Sequence, residues 1–190
     1  MKIQLSLLTA IVFLLASCGP SEQEQAQQEQ REQQLQMQMI QTTPEFNEQM
    51  SAVLDRYFDL KDALIDSDAE QAKPLAELLK EEAEGVEQAG INEETMALWI
   101  AFRTVIEENS EEITGLDDVD EQRYRFEYIS DSMIEMVDNF DPVDYELYHQ
   151  SCPMVRGGSA DWLSREEQIR NPYHGERMMN CGETIRRINF

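Results

Sequence analysis

Two stretches of this sequence concentrate soft-ligand chemistry. "SCPMVRGG" (151–158) sets Cys152 and Met154 on either side of a proline, and "RMMNCGE" (177–183) sets Met178 and Met179 just ahead of Cys181. His149 precedes Cys152 by three residues, and His174 precedes Met178 by four. Thiolate and thioether sulfurs are soft donors that select Cu(I), while imidazole suits copper and zinc alike. Cys152, Met154, Met178, Met179 and Cys181, with His149, therefore form a candidate copper site. Each part also has a plainer reading: methionines are common core filler, and a histidine on a strand can simply be surface.

The same cysteines are a candidate disulfide, and the N-terminus bears on that. Residues 1–17, "MKIQLSLLTAIVFLLAS", carry one cation, Lys2, and then an apolar run from Leu5 to Ala16. A bilayer span needs about 20 apolar residues, so this run is too short to cross and suits a secretory leader. It ends in Leu15-Ala16-Ser17-Cys18-Gly19, which looks like a bacterial lipobox. The alternative is an ordinary signal peptide with a cysteine at its cleavage site. The lipobox reading makes Cys18 the acylated, palmitate-bearing N-terminus. One acyl chain anchors only marginally and two or more hold, so the expected protein is a lipoprotein of the bacterial cell envelope. Its anchor is expected in the outer membrane, with the body facing the periplasm.

Of the three cysteines, Cys152 and Cys181 then remain. In an exported chain an even pair argues for a disulfide, whose closed loop would stabilise the fold by roughly 3 to 4 kcal/mol on the chain-entropy estimate.

The formal net charge is −24, from 39 acidic and 15 basic residues. Residues 21–140 hold 31 of the acids and 8 of the bases, whereas the last fifty residues are close to balanced. Such a charge repels phosphate backbones and anionic lipid surfaces, which argues against nucleic acid as a partner. It also keeps a tethered protein in solution.

The elements that must position the sulfur residues can be read from periodicity. Residues 18–43 form a Gln/Glu-rich, low-complexity linker that spaces the body from the anchor. The folded domain, 44–190, begins near Pro44. Phe46, Met50, Val53, Tyr57, Leu60 and Leu64 make an apolar stripe at helical spacing. Ser67 and Asp68 offer a cap for a second helix with Ala72, Leu75, Ala76, Leu79 and Val86, in which Pro74 predicts a kink or a late start. Asn92 can cap a third, with Met96, Trp99, Arg103 and Ile106, stopping before Gly115. Asp117 and Asp118 open a fourth, with Val119, Phe126, Ile129, Met133, Met136 and Phe140. The expected fold class is mainly α: an up-down four-helix bundle with a small irregular C-terminal lobe containing short strands, over about 141–190. Within the lobe, "VDYELY" alternates like a strand, "SADWLSREEQI" reads as a capped helical turn with Trp162 and Leu163 inward, and "ETIRRINF" reads as a final strand. Arg123 is expected to pair with an acid such as Asp62 inside the bundle, and Trp162 and Tyr173 to pack lobe on bundle.

The stretch "YHQSCPMVRGGSADWLSREEQIRNPYHGERMMNCGETI" resembles the C-terminal signature of a bacterial domain family of unknown function. That family occurs in periplasmic lipoproteins and is appended to heavy-metal RND efflux adaptors. Its pattern runs C-P-M, a glycine, W-L-S, I-x-N-P-Y-x-G, M-x-x-C-G. The matching residues are Cys152, Pro153, Met154, Gly158, Trp162, Leu163, Ser164, Ile169, Asn171, Pro172, Tyr173, Gly175, Met178, Cys181 and Gly182. "YFDLKDALIDSD" (57–68) and "QRYRFEYIS" (122–130, at Arg123, Phe126 and Ser130) resemble its earlier signatures, so the likeness covers roughly 45–188. The resemblance implies a helical bundle, a link to copper or other heavy metals, and metal-efflux or other envelope proteins as partners. Position 174 is aromatic in that pattern and 149 is variable, which leaves the sulfur atoms as the shared feature.

No G-x-G-x-x-G, Walker A or H-E-x-x-H pattern is present, and no oxyanion hole or substrate pocket accompanies the His149–Cys152 spacing. The expected role is non-enzymatic: soft-metal binding in homeostasis or efflux, or alternatively a disulfide-stapled interaction domain of an envelope complex.

Overall fold

The computed structural model describes residues 39–189. The leader and Cys18, and the linker up to residue 38, lie outside the described residues. Four helices lead: α1 (Pro44–Ile65), α2 (Ala69–Glu84), α3 (Glu93–Thr114) and α4 (Val119–Phe140). Three strands follow, β1 (Leu147–Val155), β2 (Gly158–Ser164) and β3 (Glu183–Ile188), with a 3-10 turn at Gly175–Arg177 before the last. Each helix packs on the next and α4 closes back on α1, giving a mainly α four-helix bundle with a small strand lobe. Among the described residues no helix is long and apolar enough to cross a membrane.

Each helix starts where a short polar side chain can take up an orphan N–H. Thr43 Oγ1 accepts from Phe46 N at 3.1 Å, with Pro44 in the first helical position. Asp68 accepts from Gln71 N at 2.9 Å, Asn92 from Thr95 N at 2.9 Å and Asp118 from Asp120 N at 2.7 Å. Gln41, expected within the linker, is held against the bundle. Gln41 N donates to Thr95 Oγ1 and Thr95 Oγ1 donates back to Gln41 O, tying this entry segment to the start of α3.

The stripe on α1 is buried throughout: Phe46, Met50, Val53, Tyr57, Leu60 and Leu64 are all fully enclosed. α2 runs through Pro74 without waiting for it, and the helical bond that its nitrogen cannot make is one to the carbonyl of exposed Glu70. On α3 the buried line is Thr95, Trp99, Phe102, Ile106, Asn109 and Ile113. Met96 and Arg103, expected on that stripe, are half-buried at its margin, and Phe102 fills the inner position.

Two readings of the lobe change. The first strand begins at Leu147, not Val143, because Asp141 takes the left-handed conformation (φ 45°) and Pro142 follows it, so the next residues turn off α4. "SADWLS" is β2 rather than a helical turn. Arg156 and Gly157 both have positive φ, 42° and 82°, which is the two-residue turn that matches hairpin twist. Adjacent Trp162 and Leu163 are both buried because both faces of the strand are covered, and that imitates a helical face in sequence.

The sheet order is β2-β1-β3, all antiparallel. An aromatic chain fastens it to the bundle: Tyr57 stacks on Phe126 at 5.1 Å, Phe126 meets Tyr173 at 6.0 Å, and Tyr173 meets Trp162 at 6.0 Å. Leu163 N also donates to Tyr57 Oη at 3.1 Å.

Arg123 makes a second fastening. Its Nη1 pairs with Asp120 at 2.9 Å, one turn earlier on α4, and not with Asp62. Asp62 lies on the outside of α1 among Lys61 and Arg170. The remaining Arg123 donors reach the Leu64 carbonyl, Ser67 Oγ and the Pro172 carbonyl at 2.7 to 2.8 Å.

Candidate functional site: the Cys152–Cys181 pair

Cys152 lies late in β1, opposite Ala160 of β2, and is fully buried. Strand side chains alternate between faces, so Cys152 shares one face with Gln150 and with Trp162 across the hairpin. That face is covered by residues 170–182. Asn171, itself fully buried, organises the covering loop. Its amide nitrogen donates to Met179 O at 2.9 Å and its side-chain amide to Cys181 O at 2.8 Å. Asn171 Oδ1 accepts from Tyr173 N and His174 N at 2.8 and 3.2 Å. Cys181 N closes the last turn onto Met178 O at 2.9 Å.

Gly182 lets this turn come down onto the strand. Its φ is 141°, and a Cβ there would lie 2.7 Å from Ser151 O and 3.0 Å from the Trp162 ring. With that approach made, Cys152 Sγ and Cys181 Sγ stand 3.2 Å apart, both as thiols. Cys181 is only half-buried. The hydrogen bond with Cys152, followed by burial, pushes its thiol pKa above the ordinary cysteine value.

The other expected ligands separate. His149 is three residues from Cys152, an odd number along a strand, and so projects from the opposite face. There its Nε2 is 2.7 Å from Asp161 Oδ2 and its Nδ1 accepts from Arg186 Nε at 3.3 Å. This corrects His149 as a member of the cysteine site: it belongs to a charged cluster against α4. Met154 lies within the irregularity between Cys152 and Val155 and is 54% exposed. Its carbonyl, not its sulfur, meets His174 Nε2 at 3.1 Å. Met178 lines a cavity of about 520 Å³ between α4 and the lobe, together with Tyr124, Glu127, Arg156, Tyr173 and His174. Met179 sits half-exposed on the turn that leads to Cys181. Among the described residues, no three His, Cys, Asp or Glu side chains form a group that could hold a metal ion.

Sequence reasoning missed Asn171 and Gly182 as the residues that hold the pair together, although both stand in the quoted signature. An Asn before Pro-Tyr, and a Gly directly after the second cysteine, are the signals for an Asx-type turn and a close backbone approach.

Residues 53–144 match a protein family of unknown function, DUF3347. The matched stretch runs from within α1 to just past α4, so it covers most of the bundle and stops before β1 and the sulfur-bearing strands. No curated protein and no solved structure matches the chain.

Proposed function

We propose that this protein is a non-enzymatic lipoprotein of the bacterial envelope in which Cys152 and Cys181 close a disulfide clasp over the hairpin, making the lobe a rigid interaction module. The observation that carries the proposal is the 3.2 Å separation of the two sulfurs across the β1–loop contact. Bond formation needs a small inward shift of a turn already seated on the strand, with no change in the fold. Two thiols lose two electrons and two protons to a disulfide-donating partner, which an oxidising compartment supplies. The lipid anchor and the envelope location rest on the leader and on Cys18.

A second reading is that the reduced pair holds a soft ion, Cu(I), in metal homeostasis or efflux. It is supported by the approach of the two sulfurs, which sets two soft donors 3.2 Å apart. Thiols must shed their protons to bind, and the raised Cys181 pKa extends the climb of that affinity to higher pH.

The test is a cross-linked peptide map of protein recovered from the envelope without reductant, beside Cu(I) titration of the reduced domain. A Cys152–Cys181 cross-link that resists copper supplementation supports the clasp. Free thiols with stoichiometric Cu(I) binding that is lost in Cys152→Ser/Cys181→Ser support the metal site.

A further inference from the structure

The two sulfurs that meet at 3.2 Å differ in what can reach them. Cys152 has no exposed surface, and Ala160 opposite it and Trp162 on the same face are buried as well. The turn that carries Cys181 closes the remaining side. Asn171 holds that turn down by donating to Cys181 O at 2.8 Å, and Gly182 leaves no room for a Cβ above Ser151 O. Cys181 itself is half-buried, and its flanks Asn180 and Glu183 are exposed.

Thiol–disulfide exchange passes through a mixed disulfide formed when one sulfur attacks another, and its rate depends on access as well as on thiolate fraction. An outside disulfide can approach Cys181 with the turn in place. It can approach Cys152 only after the turn has lifted off the strand. The raised pKa of Cys181 slows its attack and does not redirect it, since Cys152 stays covered.

We infer that the clasp closes in a fixed order, with Cys181 as the entry cysteine that takes the partner into a mixed disulfide and Cys152 as the resolving cysteine that displaces it. This rests on the clasp reading of the pair and adds which sulfur meets the partner. In the first step the Cys181 thiol gives up its proton and its sulfur bonds one sulfur of the partner disulfide, whose S–S bond breaks and whose other sulfur leaves and is protonated. In the second the Cys152 thiol gives up its proton and its sulfur bonds Cys181 Sγ, breaking the mixed disulfide and releasing the partner's remaining sulfur as a second thiol. The chain loses two electrons and two protons, and the partner gains them. Reduction runs the same path backwards: a reductant attacks Cys181 and Cys152 is the leaving sulfur. The partner, a protein disulfide or a small one, therefore presents its S–S bond to the turn at residues 179–183.

The experiment treats the reduced full mature chain, Cys152→Ser and Cys181→Ser with oxidised glutathione, quenches with acid and reads intact mass over time. The parent should lose two hydrogens without accumulating an adduct. Cys152→Ser should accumulate one glutathione on Cys181, and Cys181→Ser should take it up on Cys152 at least tenfold more slowly. Circular dichroism checks that both variants are folded, and in denaturing urea the two rates should converge, because access alone separates them. Recovery of Cys152→Ser from the envelope under alkylating conditions should show Cys181 in a mixed disulfide, whose mass tells a protein partner from a small thiol. Closure in the parent with equal rates in the two folded variants overturns the order and leaves the clasp standing. A parent that never closes overturns both.

Discussion

Gly175 lies directly under the Arg123 guanidinium. A Cβ at Gly175 would collide with that group and stand 2.6 Å from Ser67 Oγ and 2.8 Å from the Ile65 carbonyl. Its φ is 53°, so the backbone as well as the space calls for glycine. This contact seats the loop that ends in Cys181 on the junction of α1 and α4. Gly175→Ala should therefore destabilise the protein by about 2 to 4 kcal/mol, from overpacking plus left-handed strain. Urea unfolding followed by tryptophan fluorescence measures it, and a change below about 1 kcal/mol would show that the loop is not seated this way.

Asp120 gives a pH signature at the same junction. Arg177, and then Arg123, hold its carboxyl below the usual aspartate range. A depressed carboxylate contributes stability that is complete above its unfolded pKa, near ~3.9, and is lost as pH falls through the folded value. The stability gap between parent and Asp120→Asn should be steady at neutral pH and close in acid. Denaturant midpoints across that range read it out, and a gap that widens on acidification contradicts the assignment.

The bundle was legible in the sequence because apolar spacing marks the Phe46-to-Leu64 stripe and cap residues mark three helix starts, at Asp68, Asn92 and Asp118, although on α3 Phe102 takes the inner position expected for Arg103. The lobe was less so. In a helix, residues three apart share a face, whereas in a strand they oppose, so His149 beside Cys152 looks like a ligand pair only until β1 is known. The irregularity after Cys152 likewise breaks the alternation that would have aligned Met154 with it. The two cysteines were identifiable as partners once Cys18 was assigned to a lipid, but their close approach depends on Asn171 and Gly182, whose roles are tertiary. The partner of Arg123 could not be chosen among so many acids without knowing which way the side chain leaves α4.

Gly182→Ala should separate the sulfurs while leaving the bundle intact, since the added Cβ meets Ser151 O and Trp162. Disulfide formation in a glutathione redox buffer should slow at least tenfold, with helical circular dichroism unchanged. An unaltered oxidation rate would show that the turn reaches the strand by another route.

Cys181 reactivity reports the thiol–thiol hydrogen bond. The bond with Cys152 raises the Cys181 pKa, and alkylation proceeds through the thiolate. At pH 7.5 (roughly one unit below an ordinary thiol pKa), Cys152→Ala should make Cys181 react faster with iodoacetamide than it does in the reduced parent. Equal or slower alkylation would remove the hydrogen bond from the account.

The most direct test of the clasp is the state of the two thiols in the protein as the cell makes it. The chain, expressed with its own leader, is recovered from the envelope under alkylating conditions without reductant and digested for mass spectrometry. A single linked peptide containing Cys152 and Cys181, short of two hydrogens, is predicted, together with a fall in Tm of about 10 °C on reduction. Alkylated Cys152 and Cys181 in protein from oxidising cells, with no linked peptide, would contradict it.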